Sequence, residues 1–214
     1  MAIIEKKSLV DLVYEKLRGD ILSLQIPLGS KINVNELQGK LEVSCTPIRE
    51  AVNRLQQEGL VVYENNVGAR VLALEEHDVE EIQQLAMTLH CAAIRLAMER
   101  GDRDVIIGTL SKHIEEFKKA KTVQSRVMAV NHLVGVFYHN CGNRRLDKSM
   151  IAIQGQQLLL RYIYASQGGD KETDMQDFDA MRQGVVKRDP DEVCAALQRN
   201  ADRSLPFILK YIGV

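Results

Sequence analysis

Apolar residues recur at three- and four-residue steps along most of this chain, and the rhythm shortens to two over only one stretch. Leu9, Leu12, Val13, Leu17, Ile21 and Leu22 form a helical stripe behind Ser8, a natural N-cap, and predict a helix to about residue 23. Ile26-Pro27-Leu28-Gly29 breaks it. A short second helix is expected after Asn33, carrying Leu37 and Leu41, with Glu36 spaced as in a capping box. Thr46-Pro47 reads as the N-cap and first residue of a third helix, whose Ile48, Ala51, Val52 and Leu55 share one face. Gly59 supplies the stop. Leu60-Val61-Val62-Tyr63 then reads as a strand, residues 64–68 as a turn and 69–74 as a returning strand. Three helices and a hairpin make a winged helix-turn-helix.

From about residue 78 no alternation persists. Helices are expected over 78–100, ending at Gly101, from the Asp102 cap to about 120, and over 123–140. Gly142-Asn143 interrupts, a long helix follows to about 166, and after Gly168-Gly169 another spans 171–187. Asp189-Pro190-Asp191-Glu192 starts the last, with Val193, Ala196, Leu197, Leu205 and Ile208 in step. Six helices of 15 to 23 residues suffice to enclose a core. The expected fold is therefore mainly α: a winged helix-turn-helix in residues 1–76 and an all-helical bundle in 77–214.

A length of 214 residues suits two domains, and 45% hydrophobic with 27% charged residues is an ordinary globular composition. No apolar run is long enough to span a bilayer, and charges interrupt the amino end too early for a secretory signal. A cytoplasmic protein with no membrane partner is expected. Cys45, Cys91, Cys141 and Cys194 lack metal or redox spacing and read as free thiols. No nucleophile elbow, phosphate loop or dinucleotide fingerprint occurs, and Cys141 lies too near His139 in sequence to pair with it on a helix, so no enzyme is expected. A net charge of -1 does not advertise nucleic-acid binding; any positive charge must act locally, and two copies must act together.

The outer side of the third helix supplies such a place. Arg49 can donate two hydrogen bonds to the major-groove edge of guanine. Ser44 and Thr46, at the helix start, can bond phosphate or base, and the helix N-terminus attracts phosphate. Asn53 shares that side, and Gly68 lets the wing backbone approach a strand. The alternative is a three-helix structural module whose polar face is merely solvated.

The run LQGKLEVSCTPIREAVNRLQQEGLVVYENNVGARV resembles the N-terminal domain of the GntR family of bacterial regulators. Ser44, Thr46, Pro47, Arg49, Glu50, Ala51, Leu55, Glu58, Gly59, Leu60, Gly68 and Val71 match the family's pattern. The resemblance implies contacts to double-stranded DNA from Asn35, Ser44, Cys45, Thr46, Arg49, Asn53 and Gly68. Two positions depart: the family usually has arginine at Cys45 and often a basic residue at Asn35. A lost arginine contact costs on the order of 1–3 kcal/mol. Two rival readings follow. One is a thiol-responsive regulator working through Cys45 at a helix N-terminus. The other is a helical sensor or scaffold that keeps the fold with weak or lost DNA binding.

The second half resembles the all-helical FCD-type ligand-binding domain of the fatty-acid-responsive-regulator branch of that family, on helix count, Gly142-Asn143 and VVKRDPDEVCAAL. The resemblance implies a dimer interface and a small carboxylate held through a divalent metal by one aspartate and three histidines. Those ligands do not carry over: Val130, Val134, Phe178 and Asn200 stand at their positions, and Ala86 where an effector-binding arginine is frequent. Valine and phenylalanine cannot coordinate a metal. No metal or other cofactor is expected at the family site, and an apolar or uncharged small-molecule effector, or none, is favoured. Candidate pocket residues are Ala86, His90, Val130, Val134, Phe178 and Asn200. Among His77, His90, His113, His132 and His139, a rearranged cluster of His90, His132 and His139 is an alternative zinc site. The whole chain is expected to be a homodimeric, ligand-responsive regulator, a repressor on a palindromic operator.

Overall fold

A computed structural model describes residues 7–213. Its elements are α1 (Leu9–Leu22), α2 (Val34–Leu41), α3 (Cys45–Gln57), β1 (Val61–Glu64), β2 (Gly68–Val71), α4 (Glu76–Arg100), α5 (Arg103–Lys119), α6 (Val123–Asn140), α7 (Arg144–Ser166), α8 (Lys171–Lys187) and α9 (Pro190–Ile212). The fold is mainly helical with a small two-stranded wing, and the chain divides after Leu74 into two compact units. None of the described helices is long and apolar enough to cross a membrane.

In the winged unit, α1 opens with a reciprocal capping box between Ser8 and Asp11. Val13, Leu17, Ile21 and Leu22 are buried, whereas Leu9 and Leu12 are about half exposed, so the stripe faces inward over its later turns alone. Helix α1 packs on α3, which buries Ile48, Ala51, Val52 and Leu55 completely. Asn33 caps α2 by accepting from the amides of Asn35 and Glu36. The expected capping box is incomplete, because the Glu36 carboxylate accepts from the Asn33 side-chain amide rather than from its backbone.

Helix α3 begins two residues earlier than Thr46-Pro47 suggests. Ser44 is the N-cap, Cys45 the first helical residue and Pro47 the third. The first turn of any helix leaves its amides without intrahelical partners, so proline fits at the third position as well as the first. That proline also removes one amide the Ser44 hydroxyl would ordinarily accept from, and Ser44 makes no side-chain cap bond.

The hairpin is antiparallel, with Val61 opposite Val71 and Glu64 opposite Gly68. The strands sit one residue away from the expected 60–63 and 69–74 at their starts, and the second is shorter. Leu60 is instead a fully buried plug beneath the sheet, and residues 72–74 leave the ladder. The other edge of β2 is paired too: Ile32 donates to Ala69 and Val71 to Ser30, so the segment after the Pro27-Gly29 break lies alongside the wing. Gly68 has φ +97 and nothing near the place a Cβ would occupy, so the left-handed turn, not crowding, requires glycine.

One ionic contact fixes α1 against the end of α3. Glu58, the cap residue of α3, accepts two bonds from Arg18 Nε (2.8 and 2.9 Å) and one from the Tyr14 hydroxyl (2.9 Å). Its side chain is 10% exposed.

In the bundle, α4 starts at Glu76, two residues before the expected 78, with Asp78 the third-position partner of a Glu75 capping box. The helices run from 17 to 25 residues, slightly beyond the expected range. Ile94, Ile106, Leu110, Leu133, Phe137 and Phe178 form the centre of one continuous core. Gly184 on α8 lies where a Cβ would meet Val193 Cγ2 on α9 at 2.7 Å, so the close crossing of those helices needs glycine. Asp189 caps α9 with Pro190 first, and α9 continues through Pro206.

Replacing the clamp carboxylate by an amide should destabilise the winged unit. Glu58→Gln leaves Arg18 without its counter-charge in a half-buried site, at a cost of about 2 kcal/mol. Urea unfolding followed by circular dichroism should show the loss; an unchanged midpoint would contradict the clamp.

Candidate nucleic-acid face and bundle cavity

The polar side of α3 is open. Thr46, Arg49 and Asn53 are exposed, as are Ser44 at the cap and Asn35 on α2. Among the described residues Arg49 has no ion pair or hydrogen-bond partner, whereas Arg54 on the same helix is turned to α1. Arg54 donates to Asp11 at 2.7 Å and stacks over the Tyr14 ring at 4.0 Å. The two arginines thus divide the helix into a structural edge and a free edge. Arg49, Asn53 and Gly68 line one shallow groove with Lys31, Asn33 and Tyr63. The groove therefore joins α3, the wing and the segment beside it.

Lys31 and Tyr63 were not singled out in the sequence. Lys31 enters the groove through its pairing with Arg70 on β2, a contact no local pattern announces. The Tyr63 hydroxyl donates to Asn53 Oδ1 at 3.3 Å and orients that amide. Cys45 is half-buried and its thiol donates to Gln38 Oε1 on α2 at 2.9 Å, a bond that needs the sulfur protonated. Cys91, Cys141 and Cys194 are also free, and burial together with the Cys91 thiol pushes Cys194 up to about 12.

The bundle holds a small cavity of about 60 Å³, partly open to solvent, between α4, α6, α7 and α9. Ala86, His90, Val130 and Asn200 line it, and Val130, Phe178 and Asn200 line a neighbouring one of about 30 Å³. Val134 lines neither and lies in the core. Arg161 on α7, absent from the sequence expectation, lines both. Its one hydrogen-bond partner among the described residues is Asn131 Oδ1 at 3.3 Å, and no carboxylate pairs with it. Burial lowers its guanidinium to about 10, a shift the Tyr138 hydroxyl group opposes.

His90 is 3% exposed. Burial, with the Arg161 cation second, pushes its imidazole down to about 3, so it is neutral. Its Nδ1 lies 2.9 Å from the Tyr138 hydroxyl, while Nε2 is buried without a partner. Burial raises Tyr138, which keeps its proton, and no other side-chain acceptor for it occurs among the described residues. The hydroxyl therefore donates to Nδ1 and leaves the hydrogen on Nε2. Asn200 is engaged elsewhere: its amide donates to Asp174 at 2.8 Å, as does Tyr164 at 3.0 Å. Burial raises Asp174 despite those bonds. Arg203 bridges Asp174 and Asp177, and Arg199 donates to Asp177, so those buried acids have cations beside them.

A divalent metal at the position implied by the sequence resemblance does not fit these residues. Val130 and Phe178 present hydrocarbon, Val134 is in the core, and the Asn200 amide is turned to Asp174.

The model of the gntR family of bacterial regulatory proteins matches residues 9–71, and that of the FCD domain matches 81–203, over half of the chain. The chain belongs to the GntR family, with an FCD domain. It is 31% identical over 107 residues to the uncharacterized HTH-type transcriptional regulator YdhC of Bacillus subtilis (strain 168), covering 50% of this chain and 47% of that protein. It is 31% identical over 103 residues to the gluconate operon transcriptional repressor of Bacillus licheniformis, covering 48% of this chain and 42% of that one. The chain thus spans about half the length, or less, of these curated relatives. The structure of E. coli McbR/YncC shares the fold, with a TM-score of 0.71 at 17% identity, covering 96% of this chain and 99% of that one. The names describe regulators and not enzymes.

This GntR-family chain does not gather the proposed His90, His132 and His139 cluster. His90 is inside the bundle, His132 is exposed on α6, and His139 Nδ1 is bonded to the Gly135 carbonyl at 2.7 Å. The inward one has a measurable signature. Between pH 6.5 and about 3 the unfolded chain binds a proton that folded His90 refuses, so stability is full above pH 6.5 and falls with acidification below it. The loss attributable to His90 should reach roughly 2 kcal/mol by pH 5. The difference in urea unfolding free energy between wild type and His90→Gln should shift by that amount against the wild type from pH 7.5 to 5; parallel profiles would contradict a neutral buried imidazole.

Proposed function

We propose that this protein is a cytoplasmic transcription repressor that binds a palindromic DNA operator as a homodimer and is controlled by a small anionic effector held in the bundle. The unpaired Arg49 guanidinium on the open side of α3 carries the DNA reading. A cation free of intramolecular partners, beside Thr46 and Asn53 and next to an uncapped Ser44 hydroxyl, suits a phosphate-flanked guanine. One short helix offers few base contacts, and a two-fold pair doubles them on a symmetric site. The repressor sense is taken from the gluconate operon relative.

An anion is favoured over the apolar or uncharged effector that the sequence suggested. Arg161 borders the cavity without a carboxylate, and the His90 Nε2 hydrogen has no acceptor. A carboxylate would answer both, through direct contact to arginine rather than through a metal. Its binding would act on DNA by favouring one relative placement of the two reading heads in the dimer.

The DNA reading is tested by fluorescence anisotropy on a duplex selected from a random library by the full-length protein. Arg49→Ala should weaken binding roughly 5- to 150-fold, and wild-type affinity should fall steeply with salt. Equal binding by the variant, or a flat salt dependence, would favour a scaffold that has lost its DNA. For the effector, a panel of small carboxylates and their amides should be screened by thermal shift against wild type and Arg161→Met. At least one carboxylate should stabilise the wild type and fail with the variant; stabilisation by the amides alone would overturn the anion.

A further inference from the structure

A second cluster lies on the outer surface of the bundle, away from both cavities. His113 and Glu116 occupy successive turns of α5, and His132 stands on α6 across the short connection that joins these two helices. The imidazole rings of His113 and His132 have centroids 5.3 Å apart and are tilted by 48°. One nitrogen of each histidine and one oxygen of Glu116 all lie within 4.8 Å of one another. We propose that these three side chains form a surface site for a borderline divalent cation of the zinc type.

The chemistry of the donor set selects the ion. Two imidazoles and one carboxylate suit zinc, cobalt, nickel or copper and are a poor cage for magnesium or calcium, which require mostly oxygen. Zinc bonds of about 2.0–2.2 Å place ligand atoms roughly 3.3 Å apart. The present spread closes to that value by small side-chain rotations, because His132 and Glu116 are exposed and free to turn. The backbone beneath is fixed: Ile114 and Phe117 on α5 and Leu133 on α6, each adjacent in sequence to a ligand, are buried in the core.

The metal-free arrangement already holds the bond a cation would replace. His113 Nδ1 and Glu116 Oε2 share a hydrogen at 2.7 Å, with the His113 side chain 15% exposed. A divalent ion would bind one nitrogen of His113, with the ring hydrogen passing to the other nitrogen or to solvent, together with the Glu116 carboxylate, while His132 supplies the third ligand and water completes the shell. Lys112 pairs with Glu116 at 3.9 Å from Oε1 and is 70% exposed, a long contact that a bound cation would replace. The residues differ from the positions at Val130, Val134, Phe178 and Asn200 considered above, and the site needs neither DNA nor effector.

Isothermal titration of the tag-free full chain with zinc chloride tests this, with cobalt chloride as a spectroscopic probe. Wild type should bind one ion per chain with micromolar affinity, and the cobalt form should show visible absorption from imidazole coordination. His113→Ala and His132→Ala should each weaken binding at least tenfold, and Glu116→Gln by less. Circular dichroism confirms that these surface variants fold. No saturable binding up to about 100 µM zinc, or a His113→Ala/His132→Ala double variant that binds like wild type, would overturn the site.

Discussion

Glu58 decides what the winged unit presents to the outside. By accepting from Arg18 and Tyr14 it locks the end of α3 to α1 and neutralises the cation on that inner edge. Asp11 does the same for Arg54. With the inner cations matched, Arg49 stands as the unmatched arginine of α3 among the described residues, on its exposed side. A protein with a formal charge of -1 can thus carry a local positive edge without an overall basic composition.

The bundle repeats the logic inside. Asp174 and Asp177 are buried and acidic, yet Arg203 and Arg199 stand beside them, so that region is electrostatically closed. Arg161 is the exception, together with a histidine that burial keeps neutral and that has one nitrogen unaccompanied. Leaving polar atoms without partners in a low-dielectric interior is costly. That cost is the physical basis of the proposed anion contact at Arg161 and His90.

Local signals were readable in the sequence because their causes are local. The caps at Ser8, Asn33, Asp102 and Asp189 and the stop at Gly59 lie within a few residues of what they control. The start of α3 was misplaced because Ser44 and Thr46 are both good caps and proline is tolerated throughout the first turn. What stayed hidden depends on register between helices. Arg161 looked like one more charge in an apolar run, and nothing in the spacing of 113 and 132 says that their rings meet across a helical hairpin. Tyr63 and Lys31 joined the groove through the sheet edge, whose partner strand follows a proline-glycine break that reads as a loop. The candidate face on α3 was legible because amphipathicity alone separates its two sides.

The Tyr63 hydroxyl resting on the Asn53 carbonyl adds a polar link between the wing and the exposed side of α3, which also meet through the buried core. A side-chain amide reads adenine with its donor and its acceptor together. The tyrosine uses one of the two lone pairs on the amide oxygen, so the other lone pair and both amide hydrogens stay free while the amide is held in one orientation. In the proposed complex the wing therefore sets the direction in which the helix offers that amide, so a change confined to the hairpin would alter contacts made by α3.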